Sequence, residues 1–174
     1  AHVFDSNLNK IKDAFVVNTK KAGSQIQPRI EAIKDSFVIV YSDFSTGVWH
    51  IIVQKFDSNG DKRGSESSII TNSTGTCPDT NITSLSNGGY VITWSARGPG
   101  PSGTKWGIYA QFFGDDGTKY GSEFQVNTTT YGSDTEKYPE ITSTSNGFII
   151  SWEGKDSAGV SSLFAQRYEL SDNR

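Results

Sequence analysis

Two histidines, His2 and His50, and a single cysteine, Cys77, are the residues best suited to nucleophilic or metal chemistry among 174. A hydrolytic triad needs a His held beside a nucleophile. His50 follows Trp49 at the start of a strand-like run with no nucleophile motif near it. Cys77 sits in the polar stretch Gly75-Thr-Cys-Pro-Asp79 and has no second cysteine to pair with in the chain; zinc spacing is absent. Asp57, Asn59 and Asp61 superficially resemble part of a calcium loop. Such a loop needs further ligands and a closing Glu, and Asp and Gly are what a tight turn requires in any case. No metal, no cofactor and no catalytic residue are therefore expected, and the chain reads as a non-enzyme.

Binding chemistry is better supplied. Tyr41, Trp94 and Trp152 end apolar runs at matching places and are expected in the core. Trp49 and Trp106 border loops, where an aromatic face could stack on a sugar with Asp43, Arg97, Glu153 and Asp156 as polar partners. Asn72-Ser-Thr, Asn81-Ile-Thr and Asn127-Thr-Thr are sequons, which suggest a glycosylated, secreted protein.

Composition narrows the class. Hydrophobic residues make up 34% and glycine reaches 18 residues, with a mean hydropathy of −0.47. That suits many short strands and turns. The net charge of −3 argues against a nucleic-acid partner. No apolar run has the length of a membrane span. Methionine is absent even at position 1, so the chain reads as a processed form or a segment of something longer.

The elements that must carry these residues repeat. An aromatic precedes a turn at Phe4, Phe56, Phe113 and Tyr168, spaced by 52, 57 and 55 residues. Each copy reads as four strands, A to D, a period typical of propeller blades. Strand B is apolar nearly throughout in Phe37–Tyr41, Tyr90–Trp94 and Phe148–Trp152, as for a sheet covered on both faces. Strand C carries Gln54, Gln111 or Gln166 two residues before the anchor, placed to bridge backbone groups. The B–C connections, 42–48, 95–105 and 153–160, vary in length and are where a ligand would sit.

The expected fold is all-β, with three tandem four-stranded repeats as propeller-like blades in one domain, 1–174. Residues 20–71, 72–128 and 129–174 form the units, the last without its D strand. Residues 1–19 supply the end of a strand C and a strand D at Ala14–Thr19. Phe15, Val16 and Val17 would then pair with Leu163, Phe164 and Ala165, closing a ring or joining molecules. Another threefold β form such as a trefoil is the alternative.

Gly107-Ile-Tyr-Ala-Gln111, Gly121-Ser-Glu-Phe-Gln-Val-Asn-Thr128 and Gly147-Phe-Ile-Ile-Ser-Trp152 resemble the tandem repeats of large secreted surface and adhesin-like proteins of bacteria and ciliates. The likeness runs nearly the whole length, with Ser67 where the motif has Phe and Ala14 where it has Glu. It implies propeller-like blades in an extracellular structural or adhesive setting, and no catalytic residues. The leading expectation is a cell-surface or extracellular module that self-associates through its end strands, as a fibre or surface-layer subunit. A lectin using the B–C loops, with glycans as ligands, is second and a propeller hydrolase third.

Overall fold

The computed structural model describes residues 1–69, 78–97, 106–128 and 136–170. Cys77, Asn72 and most of the 95–105 loop lie outside them. Every regular element among the described residues is a β-strand, and none is a helix that could cross a membrane. The chain, read from its repeats as a single domain, divides into two compact units, residues 1–75 and 76–174.

The first unit holds a hairpin of β1 (Val3–Phe4) and β2 (Lys10–Lys12). A four-stranded antiparallel meander follows: β3 (Gln25–Ile33), β4 (Ser36–Asp43), β5 (His50–Asp57) and β6 (Lys62–Ser68). The second unit holds two sheets. One is the meander β7 (Thr80–Ser84), β8 (Tyr90–Arg97), β9 (Trp106–Phe113) and β10 (Lys119–Gln125). The other is three-stranded: β11 (Lys137–Thr144), β12 (Gly147–Lys155) and β13 (Ser161–Glu169), where it stops. All pairings are antiparallel, and the described strands form no closed barrel.

Turn chemistry is repeated. Phe4 pairs with Lys10, Phe56 with Lys62 and Phe113 with Lys119, so one loop length joins strands C and D each time. Asp5 Oδ1 accepts the amides of Asn7 and Asn9, and Asp57 Oδ1 those of Asn59 and Asp61. The same device recurs between β12 and β13, where Asp156 Oδ1 accepts from Ala158 and Val160. Gly60 and Gly117 supply the positive φ these turns need, and Leu8 takes it at 64°.

Strand B is buried as expected in β8 from Tyr90 to Ala96 and in β4 from Val38 to Asp43, whereas in β12 Ile149 and Ser151 are only half-buried, so one face there is less covered. Across each B–C pair two rings stack, Phe37 on Phe56 at 5.0 Å, Tyr90 on Phe113 at 4.9 Å and Phe148 on Tyr168 at 4.9 Å. In unit 2, Phe124 from β10 sets its edge against Tyr168 at 5.4 Å and so joins the two sheets. Val91, Ile108, Ala110 and Val126 meet Phe148, Ile150 and Trp152 in that seam. In unit 1, Phe15 lies 5.6 Å from Phe56, and with Val17 it packs on Ile39 and Tyr41. The residue of β6 at the place of Phe15 and Phe124 is Ser67, which has no ring.

Residues 14–19 are not the strand their apolar run suggested; the N-terminal strand D is β2, four residues earlier. Phe15 does exchange both backbone hydrogen bonds with Ala1, each 2.9 Å. Beyond it the amide of Thr19 donates to Glu66 Oε1 at 2.6 Å, a side chain rather than a neighbouring strand.

Candidate functional site

The C–D corner is the most elaborated part of each sheet. Strand D bulges where Gly64 and Gly121 take φ of 74° and 65°, and the register slips at both. The slip turns carbonyls away from the ladder, and the glutamine that recurs in strand C collects them. Gln111 Nε2 donates to Phe112 O, Tyr120 O and Gly121 O at 3.0, 2.9 and 3.3 Å. Gln54 Nε2 donates to Lys55 O and Gly64 O at 2.9 and 3.2 Å. The backbone-bridging role read from sequence is thus what these two side chains do. Past the bulge, Asn127 Oδ1 accepts the Ile108 amide at 2.7 Å and closes the sheet end.

The third sheet has the same strand C without a described partner on its outer edge. Leu170 donates its amide to Asn146 O, so alternate residues Tyr168, Gln166 and Phe164 face β12. The N–H and C=O groups of Leu163, Ala165 and Arg167 therefore point off the edge. Gln166 is exposed and donates to its neighbour's carbonyl, Arg167 O, at 3.2 Å. Leu163 is 86% exposed, whereas its counterparts Ile51 and Ile108 are at 0%. That edge, with its uncovered apolar face, is the candidate site.

The residues proposed for sugar binding are arranged otherwise. Trp106 is 7% exposed, because strand alternation puts it on the face of Ile108 and Ala110, and Arg97 covers its ring at 5.9 Å. It has no open face for a sugar. Trp49 is half-buried against Phe44 at 4.9 Å. Asp43 is buried, its carboxylate accepting from Gln25 Nε2 and Ser45 Oγ at 2.9 and 2.6 Å. Asp156 caps its own turn, and Glu153 is exposed at the far end of β12. Tyr41, Trp94 and Trp152 are buried, in line with a packing role.

The sequons fare similarly. Asn127 is 3% exposed and structural, so a glycan has no room on it. Asn81 lies in β7 and donates Nδ2 to Glu140 Oε2 at 2.5 Å. The calcium-like trio is also committed: Asp57 Oδ1 serves turn amides and Asp61 Oδ1 receives Lys12 Nζ at 2.5 Å. Asp57 is held below the ordinary carboxylate range by the Asp61 and Asn59 amides, with Arg63 and Lys12 adding their charge. No cluster of three or more metal-ligating side chains occurs among the described residues.

Two of the strand-B tyrosines, Tyr41 and Tyr90, have acidic neighbours. Burial pushes Tyr41 and Tyr90 well above their ordinary range, helped by Glu66 at Tyr41 and by Asp116 at Tyr90. Both hydroxyls stay protonated, as core groups do. A groove in unit 1 lined by Ile30, Ile39 and Tyr41 was missed in the sequence reading. Its signal was present: Ile30 aligns with Ile141, a residue of the unit 2 seam.

No protein-family model matches this sequence, and no curated protein is significantly similar to it.

Proposed function

We propose that this chain is a structural repeat module of an extracellular or cell-surface assembly, built of propeller-blade-like sheets that associate through their terminal strands. One observation carries it: the position filled by Ile51 and Ile108 is fully buried, and at Leu163 it is 86% exposed. Burying a leucine contributes about 1.5–3 kcal/mol. The backbone edge beside it is nine residues long and aligned for another strand. Residues 1–19 carry the complementary half, with the same Phe-to-Lys pairing across the C–D turn as the complete sheets. The extracellular setting and the adhesive role rest on the repeat motifs.

Size-exclusion chromatography with light scattering tests the association. A particle heavier than the 19.0 kDa chain is expected, reverting to one chain when residues 1–19 are deleted. A deletion variant of unchanged mass and stability would falsify the assembly role. Labelling of intact source cells with an antibody to the chain tests the location; staining that needs permeabilised cells would refute it.

A further inference from the structure

We infer that the B–C loop of unit 1, with Lys20 and Lys21 beside it, is a docking surface for a lipid bilayer that carries anionic headgroups. The surface is built from loops of the first sheet and is independent of the terminal strands.

The loop between β4 and β5 runs Phe44-Ser-Thr-Gly-Val-Trp49. Closing such a loop does not require rings. The matching loop between β12 and β13 turns on Asp156, which accepts the Ala158 and Val160 amides, and it has no aromatic residue. In unit 1 the loop instead displays Phe44 at 37% and Val48 at 41% exposure, with Trp49 half-buried beside them. Phe44 and Trp49 meet at 4.9 Å as a tilted pair. Apolar side chains clustered on an exposed tip mark an interaction site. The tip is also held in shape. The Phe44 amide donates to Ser24 O at 2.8 Å and the Gly47 amide to Phe44 O at 3.3 Å. Ser45 Oγ donates to the Asp43 carboxylate at 2.6 Å, and Thr46 Oγ1 lies 2.7 Å from His50 Nε2. Binding therefore has little loop ordering to offset.

Charge decides what the surface fits. The chain carries −3 overall, yet this end of the sheet is cationic. Gly23 passes so close to the loop that a Cβ on it would lie 2.6 Å from Phe44 O. Gln25 Nε2 donates to both Ala22 O and Asp43 Oδ1, at 2.7 and 2.9 Å. These contacts fix the segment that begins with Lys20 and Lys21 against the loop. Both lysines are exposed, and neither forms an ion pair among the described residues. The neighbouring acids are turned inward. Asp43 is 2% exposed, and the Glu66 side chain, 15% exposed, accepts the Thr19 amide and pairs with Lys62 at 3.5 Å. Aromatic rings seat at the headgroup level of a bilayer, and lysines near its surface are drawn to anionic lipids. Peripheral binding grows with both contributions together, and the loop supplies both. A sugar fits less well. It would need an open ring face and an acceptor carboxylate, whereas Trp49 leans on Phe44 and Asp43 is buried.

The test is co-sedimentation of the intact chain with vesicles of phosphatidylserine and phosphatidylcholine in equal parts, beside vesicles of phosphatidylcholine alone. The mixed vesicles should carry the chain down, the neutral ones should not, and high salt should release it. Lys20→Glu with Lys21→Glu, and Val48→Asp separately, alter exposed side chains. Their circular dichroism should match the parent while partitioning falls about tenfold or more. Lipids brominated near the headgroup should quench Trp49, since Trp94, Trp106 and Trp152 are buried. Failure of the mixed vesicles to bind the chain would overturn the inference. Binding indifferent to the lysine and Val48 substitutions would place the contact elsewhere and overturn it as well. Without vesicle binding, a glycan-array signal lost in Trp49→Ala would assign the loop to a sugar, and a native mass lowered by Val48→Asp would assign it to a second copy; either result rejects the bilayer.

Discussion

Strands β9 and β13 hold the same place in their sheets and begin from nearly the same pattern. Gly107-Ile-Tyr-Ala-Gln-Phe-Phe113 and Ser162-Leu-Phe-Ala-Gln-Arg-Tyr168 align residue for residue. Yet β9 is buried almost end to end and β13 alternates between exposed and half-covered. The difference lies outside the strands. β9 has β10 along its edge and the third sheet over its face. β13 has β12 on one edge and nothing described on the other. A side chain's contribution is therefore set by its neighbours, and the two strands form an internal control.

The largest contrast should come from truncation. Ile108→Ala opens a cavity in the unit 2 seam and should cost about 2–5 kcal/mol in urea unfolding. Leu163→Ala should change stability by no more than about 0.5 kcal/mol in the single chain. Equal effects would break the comparison.

Next is the ring that joins the sheets. Phe124→Ala removes the contact with Tyr168 and should cost about 3 kcal/mol. Ser67→Ala, at the matching exposed place on β6, should stay within about 0.5 kcal/mol. Chemical unfolding followed by tryptophan fluorescence reads both.

A smaller contrast belongs to the glutamines. Gln111→Ala strands bulge carbonyls in a buried corner and should cost about 1–3 kcal/mol. Gln166→Ala, on the open edge, should cost almost nothing. If Gln166→Ala proved as damaging, the corner would owe its stability to something other than the bulge.

The mildest effect is a pH dependence. Tyr41 and Tyr90 titrate above their ordinary value of 10.0 in the fold, chiefly through burial. Their neutral forms add stability that is fully present below pH 10.0 and is lost as pH rises through the folded values. Tyrosinate absorbance from these two should therefore appear together with loss of circular dichroism. Ionisation in a still-folded chain would contradict their placement.

Much of the architecture was legible because its signals are local. The aromatic anchor and the tight turn after it are set by neighbouring residues, and the structure places that turn after Phe4, Phe56 and Phe113, each ring pairing with a lysine six residues on. The site was less legible. Trp106 looked like a loop-edge platform, but alternation along β9 turned it inward under Arg97. Asn127 matched a glycosylation pattern, but its side chain is buried at the sheet corner, accepting the Ile108 amide. Residues 14–19 had the composition of a strand, yet only Phe15 makes a ladder-like pair, with Ala1, and Thr19 turns to the Glu66 side chain.

Sequence alone determined the all-β character and most of the turns, because these depend on residues a few positions apart. Only the tertiary structure decided which copies of a repeated residue are covered. Ile51, Ile108 and Leu163 carry the same chemistry, and burial is a property of what lies across from them.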